Sequence, residues 1–88
     1  MEKVTKWEDV SFILASKCRE DVLKMLENPK TPSGISKEIK INKTHISRAL
    51  KELRDKKIIV CLTPNSNKGK LYIISGYGKK ILKKIKEL

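Results

Sequence analysis

The sequence predicts a small, mainly α-helical fold with one β-hairpin, an α+β arrangement in the order helix, helix, helix, helix, hairpin, helix. Three observations predict it. Apolar residues recur at helical spacing in five stretches, most of them opened by a residue able to cap a helix. Residues 31–55 place two such helices on either side of a three-residue turn. Two β-branched runs, 58–62 and 71–74, flank a polar segment that contains Gly69, as hairpin strands do.

Each element has its own local signal. Thr5 followed by Glu8 fits a capping box for a helix near 6–15, with Trp7, Val10 and Leu14 on one stripe, although Phe12-Ile13-Leu14 also suits a short strand. Ser16 can cap the next helix, where Cys18, Val22, Met25 and Leu26 recur at i, i+4, i+7 and i+8. Asn28-Pro29 ends it. Thr31 is an N-cap with Pro32 in the first helical position, where a missing N–H costs nothing. Ile35 and Ile39 face inward, and Lys40-Ile41-Asn42 form the turn. Asn42 caps a helix over 43–56, whose Ile46, Ala49, Leu50 and Leu53 give a clean apolar stripe. Lys56 and Lys57 suit its C-terminus, where cations offset the helix dipole. Ser75 caps a last helix over 76–88, bearing Ile81, Leu82, Ile85 and Leu88 with lysines elsewhere. Gly76 and Gly78 weaken its first turn by up to about 1 kcal/mol each.

With 88 residues the chain suits one domain, 1–88, rather than two. No apolar run approaches the length of a membrane span and no signal-peptide layout opens the chain, so a cytoplasmic protein is expected. Cys18 and Cys61 stand far apart without metal-ligand spacing and read as reduced core thiols. The net charge of +11 is unevenly spread. Residues 1–27 carry 5 basic and 6 acidic groups, whereas residues 28–88 carry 16 basic and 4 acidic ones. A basic surface laid over the helix pair and the hairpin points to a polyanionic partner.

Helix-turn-helix, hairpin and helix in that order look like a winged-helix DNA-binding domain. The chain resembles the MarR- and ArsR-type prokaryotic transcriptional regulators, especially short archaeal members. Leu14-x-Ser16-x-x-Arg19-x-x-Val22-Leu23-x-x-Leu26 resembles the opening helix of the ArsR type, and Thr31-Pro32-Ser33-x-Ile35-Ser36 the start of its second. Ile46-Ser47-Arg48-x-Leu50-x-x-Leu53 resembles the recognition helix, while Leu62-Thr63-Pro64 and Gly69-x-Leu71-Tyr72 look like the wing. The chain departs from that pattern in two places. Many relatives carry glycine in the turn where this chain has Lys40, a substitution costing about 1 kcal/mol if the backbone there is left-handed. Gly34 stands where an acidic residue is more usual.

On this reading the helix over 43–56 enters the major groove of double-stranded DNA. Arg48 is placed to fork onto guanine O6 and N7. Ser47 and Thr44 suit base edges or phosphates, and Lys43 and Lys51 suit phosphates, which set affinity and register. His45 lacks a metal-ligand partner and is either a base or phosphate contact or a plainly exposed residue of this face. Lys68 and Lys70, on a wing near 63–70, would lie along the minor groove or its phosphates. Thr31 and Ser33, at a helix N-terminus, could hold a phosphate through backbone N–H groups.

Trp7, Val10, Leu14, Ile81, Leu82, Ile85 and Leu88 exceed what so small a domain readily buries, so a symmetric homodimer through the outer helices is expected. Such a dimer sets two recognition helices about one turn of DNA apart. No nucleophile with its base, no paired carboxylates and no phosphate-cradling glycine loop occur, so neither enzyme chemistry nor a cofactor is implied. Two other functions fit the same composition. One is a winged-helix module for protein interaction in a transcription assembly, and the other a non-specific nucleic-acid coat. The scarcity of aromatic residues argues against single-strand or RNA recognition.

Overall fold

The computed structural model describes residues 6–65 and 69–88. Five helices and two strands follow in the expected order: α1 (Trp7–Leu14), α2 (Lys17–Met25), α3 (Pro32–Ile39), α4 (Lys43–Asp55), β1 (Ile59–Cys61), β2 (Tyr72–Ile74) and α5 (Gly76–Lys86). Phe12-Ile13-Leu14 is helical, which settles the one stretch that suited either state. The fold is a winged helix-turn-helix: α3 and α4 are the helix pair and β1–β2 the hairpin.

The caps explain where most helices begin. Ser16, Thr31 and Ser75 each accept a hydrogen bond from the backbone N–H three residues on, and Asn42 Oδ1 accepts from Thr44 N at 2.8 Å. The first helix differs from expectation. Its N-cap is Lys6, without a side-chain cap bond, one residue later than a Thr5–Glu8 box requires, and Thr5 lies outside the described residues.

Two helix ends turn on lysines with left-handed backbone, Lys40 at φ 56° and Lys57 at φ 62°. Lys40 closes α3 in the turn where the regulators it resembles carry glycine, and its backbone is left-handed there. Lys57 sits in a Schellman motif, with Ile58 N–H on Leu53 O and Lys57 N–H on Arg54 O, both at 2.9 Å. Leu53 and Ile58, the two positions whose apolar side chains usually accompany such a motif, are both fully buried. A Cβ in this region is strained, so Lys40→Gly and Lys57→Gly are each expected to raise stability by about 0.5–1 kcal/mol. Urea unfolding followed by circular dichroism checks this, as a rise in midpoint at constant slope.

The strands pair antiparallel with Ile59 opposite Ile74, Val60 opposite Ile73 and Cys61 opposite Tyr72. Both are shorter than the apolar runs that predicted them, although Leu62 N–H still reaches Leu71 O at 2.7 Å. A further rung, without a signal in the linear sequence, lies on the far side of β2. There Lys30 and Tyr72 exchange both backbone hydrogen bonds, at 3.0 and 2.9 Å. That bridge fastens the hairpin to the residue just before Thr31, the N-cap of α3.

The core runs through every element, with Ile13, Val22, Leu23, Leu26, Ile35, Ile46, Leu53, Ile58 and Ile81 fully buried. The reading of the outer helices needs a correction here. Val10, Ile81, Leu82 and Ile85 are at most 9% exposed and belong to this same core, so they are not available to a second subunit. The structure spends them internally because α5 packs on α1, α2 and β2. Of the seven residues assigned to a dimer interface, Trp7 (57%), Leu14 (42%) and Leu88 (70%) remain exposed.

Among the described residues one polar residue, Asp9, is buried, and a small network holds it. Its carboxylate accepts a hydrogen bond from the Tyr77 hydroxyl and meets Lys56 Nζ at 3.4 Å, which joins α1 to α5 and to the end of α4. Phe12, one turn further along α1, lies between Arg19, 3.8 Å from the ring centre, and Lys56, at 4.8 Å. Burial, and then the bond to Asp9, push the Tyr77 phenol above its ordinary 10.0. Tyr77→Phe is expected to cost about 1–2 kcal/mol at neutral pH, since Asp9 loses a donor. A raised phenol stabilises the fold in full below its unfolded value, and that increment is lost as pH rises through its folded value. The gap between wild type and variant should therefore narrow above about pH 10. Unfolding curves across alkaline pH test the sign.

Candidate nucleic-acid interface

Helix α4 buries Ile46, Ala49, Leu50 and Leu53 against α2, α3 and β1, which turns the rest of its circumference to solvent. Lys43, Thr44, His45, Ser47, Arg48 and Lys51 are all exposed there. This follows from the 3.6-residue period: once the apolar stripe is seated, the polar set has one direction left.

Two depressions flank the exposed ridge. The first, about 410 Å³, is lined by Thr31, Pro32, Ser33, Lys43, Ser47, Gly69, Lys70 and Tyr72. It unites the start of α3, the first turn of α4 and the base of the hairpin loop. Five residues singled out from the sequence, Thr31, Ser33, Lys43, Ser47 and Lys70, therefore share one groove. The described ends of the hairpin loop are fastened: Thr63 Oγ1 accepts from Leu71 N at 2.9 Å, and the Lys30–Tyr72 rung lies next to Leu71. Gly69, at φ 60°, supplies the left-handed turn that brings Lys70 back toward α4. Lys68, also singled out, lies outside the described residues.

The second depression, about 290 Å³, lies on the other flank of α4 and is lined by Ser16, Cys18, Arg19, His45, Arg48, Ala49 and Glu52. Arg48 and His45 therefore do not share the groove of Ser47 and Lys70. They face the start of α2 across the helix ridge. Arg19 and Glu52 form its floor through paired contacts of 3.4 and 3.2 Å, and Arg19 also donates to Phe12 O at 3.0 Å. This pairing joins residues 33 apart on different helices, and the linear sequence held no signal for it. Thr44 and Lys51 lie on the exposed ridge and line neither depression.

The electrostatics favour an anionic ligand over the whole surface. None of Lys43, Arg48, Lys51 and Lys70 is in an ion pair among the described residues, whereas Arg19 is neutralised by Glu52. The Cys18 thiol is pushed up, first by burial and then by Asp21, so it is a poor thiolate at neutral pH. Cys18 and Cys61 are both free and half-buried. Among the described residues no group of three or more His, Cys, Asp and Glu is placed to hold a metal ion, and no helix is long and apolar enough to cross a membrane.

The sequence matches no protein-family model and no curated protein. Its likeness to solved structures is clear. TubR from Bacillus thuringiensis, solved bound to 24 bp of tubC, superposes with a TM-score of 0.80 over 99% of this chain and 98% of that one, at 16% identity. The reduced transcriptional regulator YodB from B. subtilis gives 0.78 over 98% and 87%, at 20% identity. Wild-type apo MarR from E. coli gives 0.77 over 92% of this chain at 23% identity, and the chain spans 62% of that protein's length. Likeness at these identities speaks to architecture: the chain has the same winged helix-turn-helix fold as TubR, YodB and MarR.

Proposed function

We propose that the chain is a DNA-binding transcriptional regulator, its residues 1–88 forming one winged-helix domain that works in the cytoplasm on the nucleoid. Helix α4 enters the major groove, and the loop near 63–70 lies on the adjacent minor groove or backbone. The observation that carries this reading is the groove where Lys43, Ser47 and Lys70 meet Thr31 and Ser33. The start of α3, the first turn of α4 and the root of the hairpin loop there present hydroxyls, and cations in no ion pair among the described residues, on one concave surface. Lys43, Lys51, Lys70 and Lys68 hold phosphates, Thr31 and Ser33 offer the start of α3 to another, and Thr44, His45, Ser47 and Arg48 face the bases. The fold shared with TubR on tubC and with the regulators YodB and MarR supports the same reading.

The chain acts as a symmetric homodimer, covering the exposed Trp7 and Leu14 of α1 and Leu88 beyond α5. A second reading, anchoring of DNA for segregation rather than gene control, is favoured by the match in length to TubR, one structure of which is named for plasmid segregation. Binding to duplex genomic fragments across a salt series tests the DNA reading. Affinity is expected to fall linearly in log–log form with added salt, and Lys43→Gln/Lys70→Gln is expected to flatten the slope by about 2. No binding at low salt, or an unchanged slope in the double variant, overturns it. Transcription from promoters beside the bound sites separates regulation from anchoring.

A further inference from the structure

The outward face of α5 is left unused by this reading. Lys79, Lys80, Lys83, Lys84 and Lys86 fall within eight residues, and all are exposed. Lys86 is paired with Glu27 at 3.1 Å, while Lys79, Lys83 and Lys84 are in no ion pair among the described residues. Two shallow depressions score this face, one lined by Glu27, Lys79, Leu82, Lys83 and Lys86, the other by Lys80, Lys83, Lys84 and Glu87. No residue of α4 or of the hairpin loop lines either. The patch is thus separate from the α4 surface, since α5 packs on α1, α2 and β2, whereas α4 packs on α2, α3 and β1.

We propose that this lysine face is a second binding surface for duplex DNA, so that one chain joins two duplex segments. The inference rests on the α4 surface binding DNA as proposed above. Charge selects a polyanion, and what else is present on the face selects which one. Every large apolar residue of α5 up to Ile85 is turned into the core, which leaves no apolar side to enter a lipid interface. A protein partner would need aromatic, aliphatic or arginine anchors, and lysine is depleted at such interfaces. Tyr77, the helix's one aromatic residue, is half-buried and bonded to Asp9, so no ring is free to stack on a single strand. A second copy set symmetrically on this face would oppose lysine to lysine. The backbone of a duplex needs none of these anchors, because regularly spaced point charges suffice. Lys79 and Lys83, like Lys80 and Lys84, stand about one helical turn apart, about 6 Å along the axis, a spacing close to two phosphate steps of one strand, each rising about 3.4 Å along the duplex axis.

The test is capture of a fluorescent duplex by protein already bound to a duplex on beads, at about 50 mM salt. It compares the wild-type chain with Lys79→Gln/Lys83→Gln/Lys84→Gln and with Arg48→Ala/Lys70→Ala. The α5 variant is expected to bind a single short duplex within about twofold of wild type while capturing at least about tenfold less of the second. Wild-type protein that binds the first duplex and captures no second overturns the inference, and so does capture that survives in the α5 variant, which would assign bridging to paired α4 surfaces. Capture of polyglutamate or of phosphatidylserine vesicles in place of duplex also overturns it. Failure of the α4 reading shows differently, as single-duplex binding by the α5 variant that is unchanged when Arg48→Ala/Lys70→Ala is added to it.

Discussion

Gly78→Ala is expected to destabilise the fold by about 3 kcal/mol, while the same change two residues earlier stabilises it. A Cβ at Gly78 would stand 2.1 Å from Ile58 O and 2.7 Å from Ile74 Cγ1. The first of these is backbone, so it cannot be relieved by turning a side chain. Ile58 is also a junction. Its carbonyl accepts from Ser75 N at 3.0 Å and from Ser75 Oγ at 2.8 Å, and its N–H closes the Schellman motif at the end of α4. Pushing α5 away therefore loosens the cap of one helix and the end of another together. Overpacking of this kind costs 1–3 kcal/mol, and the loss of caps takes the figure to the top of that range. For a domain of this size it lowers Tm by roughly 12–24 °C. At Gly76 a Cβ meets nothing within 4 Å, so Gly76→Ala is expected to add about 0.5–1 kcal/mol through the unfolded chain. Thermal unfolding of both variants checks the opposite signs, and a Gly78→Ala loss below 1 kcal/mol would contradict the packing argument.

The other large effect concerns binding. Arg48→Ala is expected to weaken binding to the preferred duplex by about 1–3 kcal/mol, a factor of roughly 5–150, and far less to scrambled duplex. Lys43→Ala should weaken both alike and lower the salt slope by about 1. The difference follows from position. Arg48 lies on the flank away from the hairpin loop, has no carboxylate partner among the described residues, and retains the donors of its planar fork. Lys43 lies in the groove with Lys70 and offers a point charge. Arg48→Lys separates fork from charge: it should restore non-specific affinity without restoring preference. Equal losses on both duplexes would move Arg48 to the phosphates.

The helices were legible because they advertise themselves locally. Ser16, Thr31, Asn42 and Ser75 each cap the helix the sequence assigned to them, and the stripe Ile46–Ala49–Leu50–Leu53 decided which way α4 faces. The left-handed backbone of Lys40 was anticipated only conditionally, through the glycine that many similar regulators carry at that turn, and that of Lys57 not at all. Pairings between distant residues were not legible. Asp9 with Tyr77, Arg19 with Glu52 and Lys30 with Tyr72 depend on how elements meet, and nothing in the neighbourhood of either partner foretells the other. The outer helices misled for a related reason. Val10, Ile81, Leu82 and Ile85 read as surplus when each helix is counted alone, yet α5 lies across α1 and α2 and uses them. The grouping of the candidate DNA-contact residues was half legible: the spacing put Ser47 and Arg48 on one exposed arc, and only the packing of α2 and the hairpin divided that arc into two flanks.

The two backbone bonds between Lys30 and Tyr72 have a mechanical consequence. They weld the hairpin to the entry of α3, so its root cannot swing independently of the helix pair. The stride between the first turn of α4 and Lys70 is set by main-chain geometry, and surface side chains can drift without altering it. On the proposed function such a frame would work as a caliper, holding one fixed width to offer to the grooves before any base is touched.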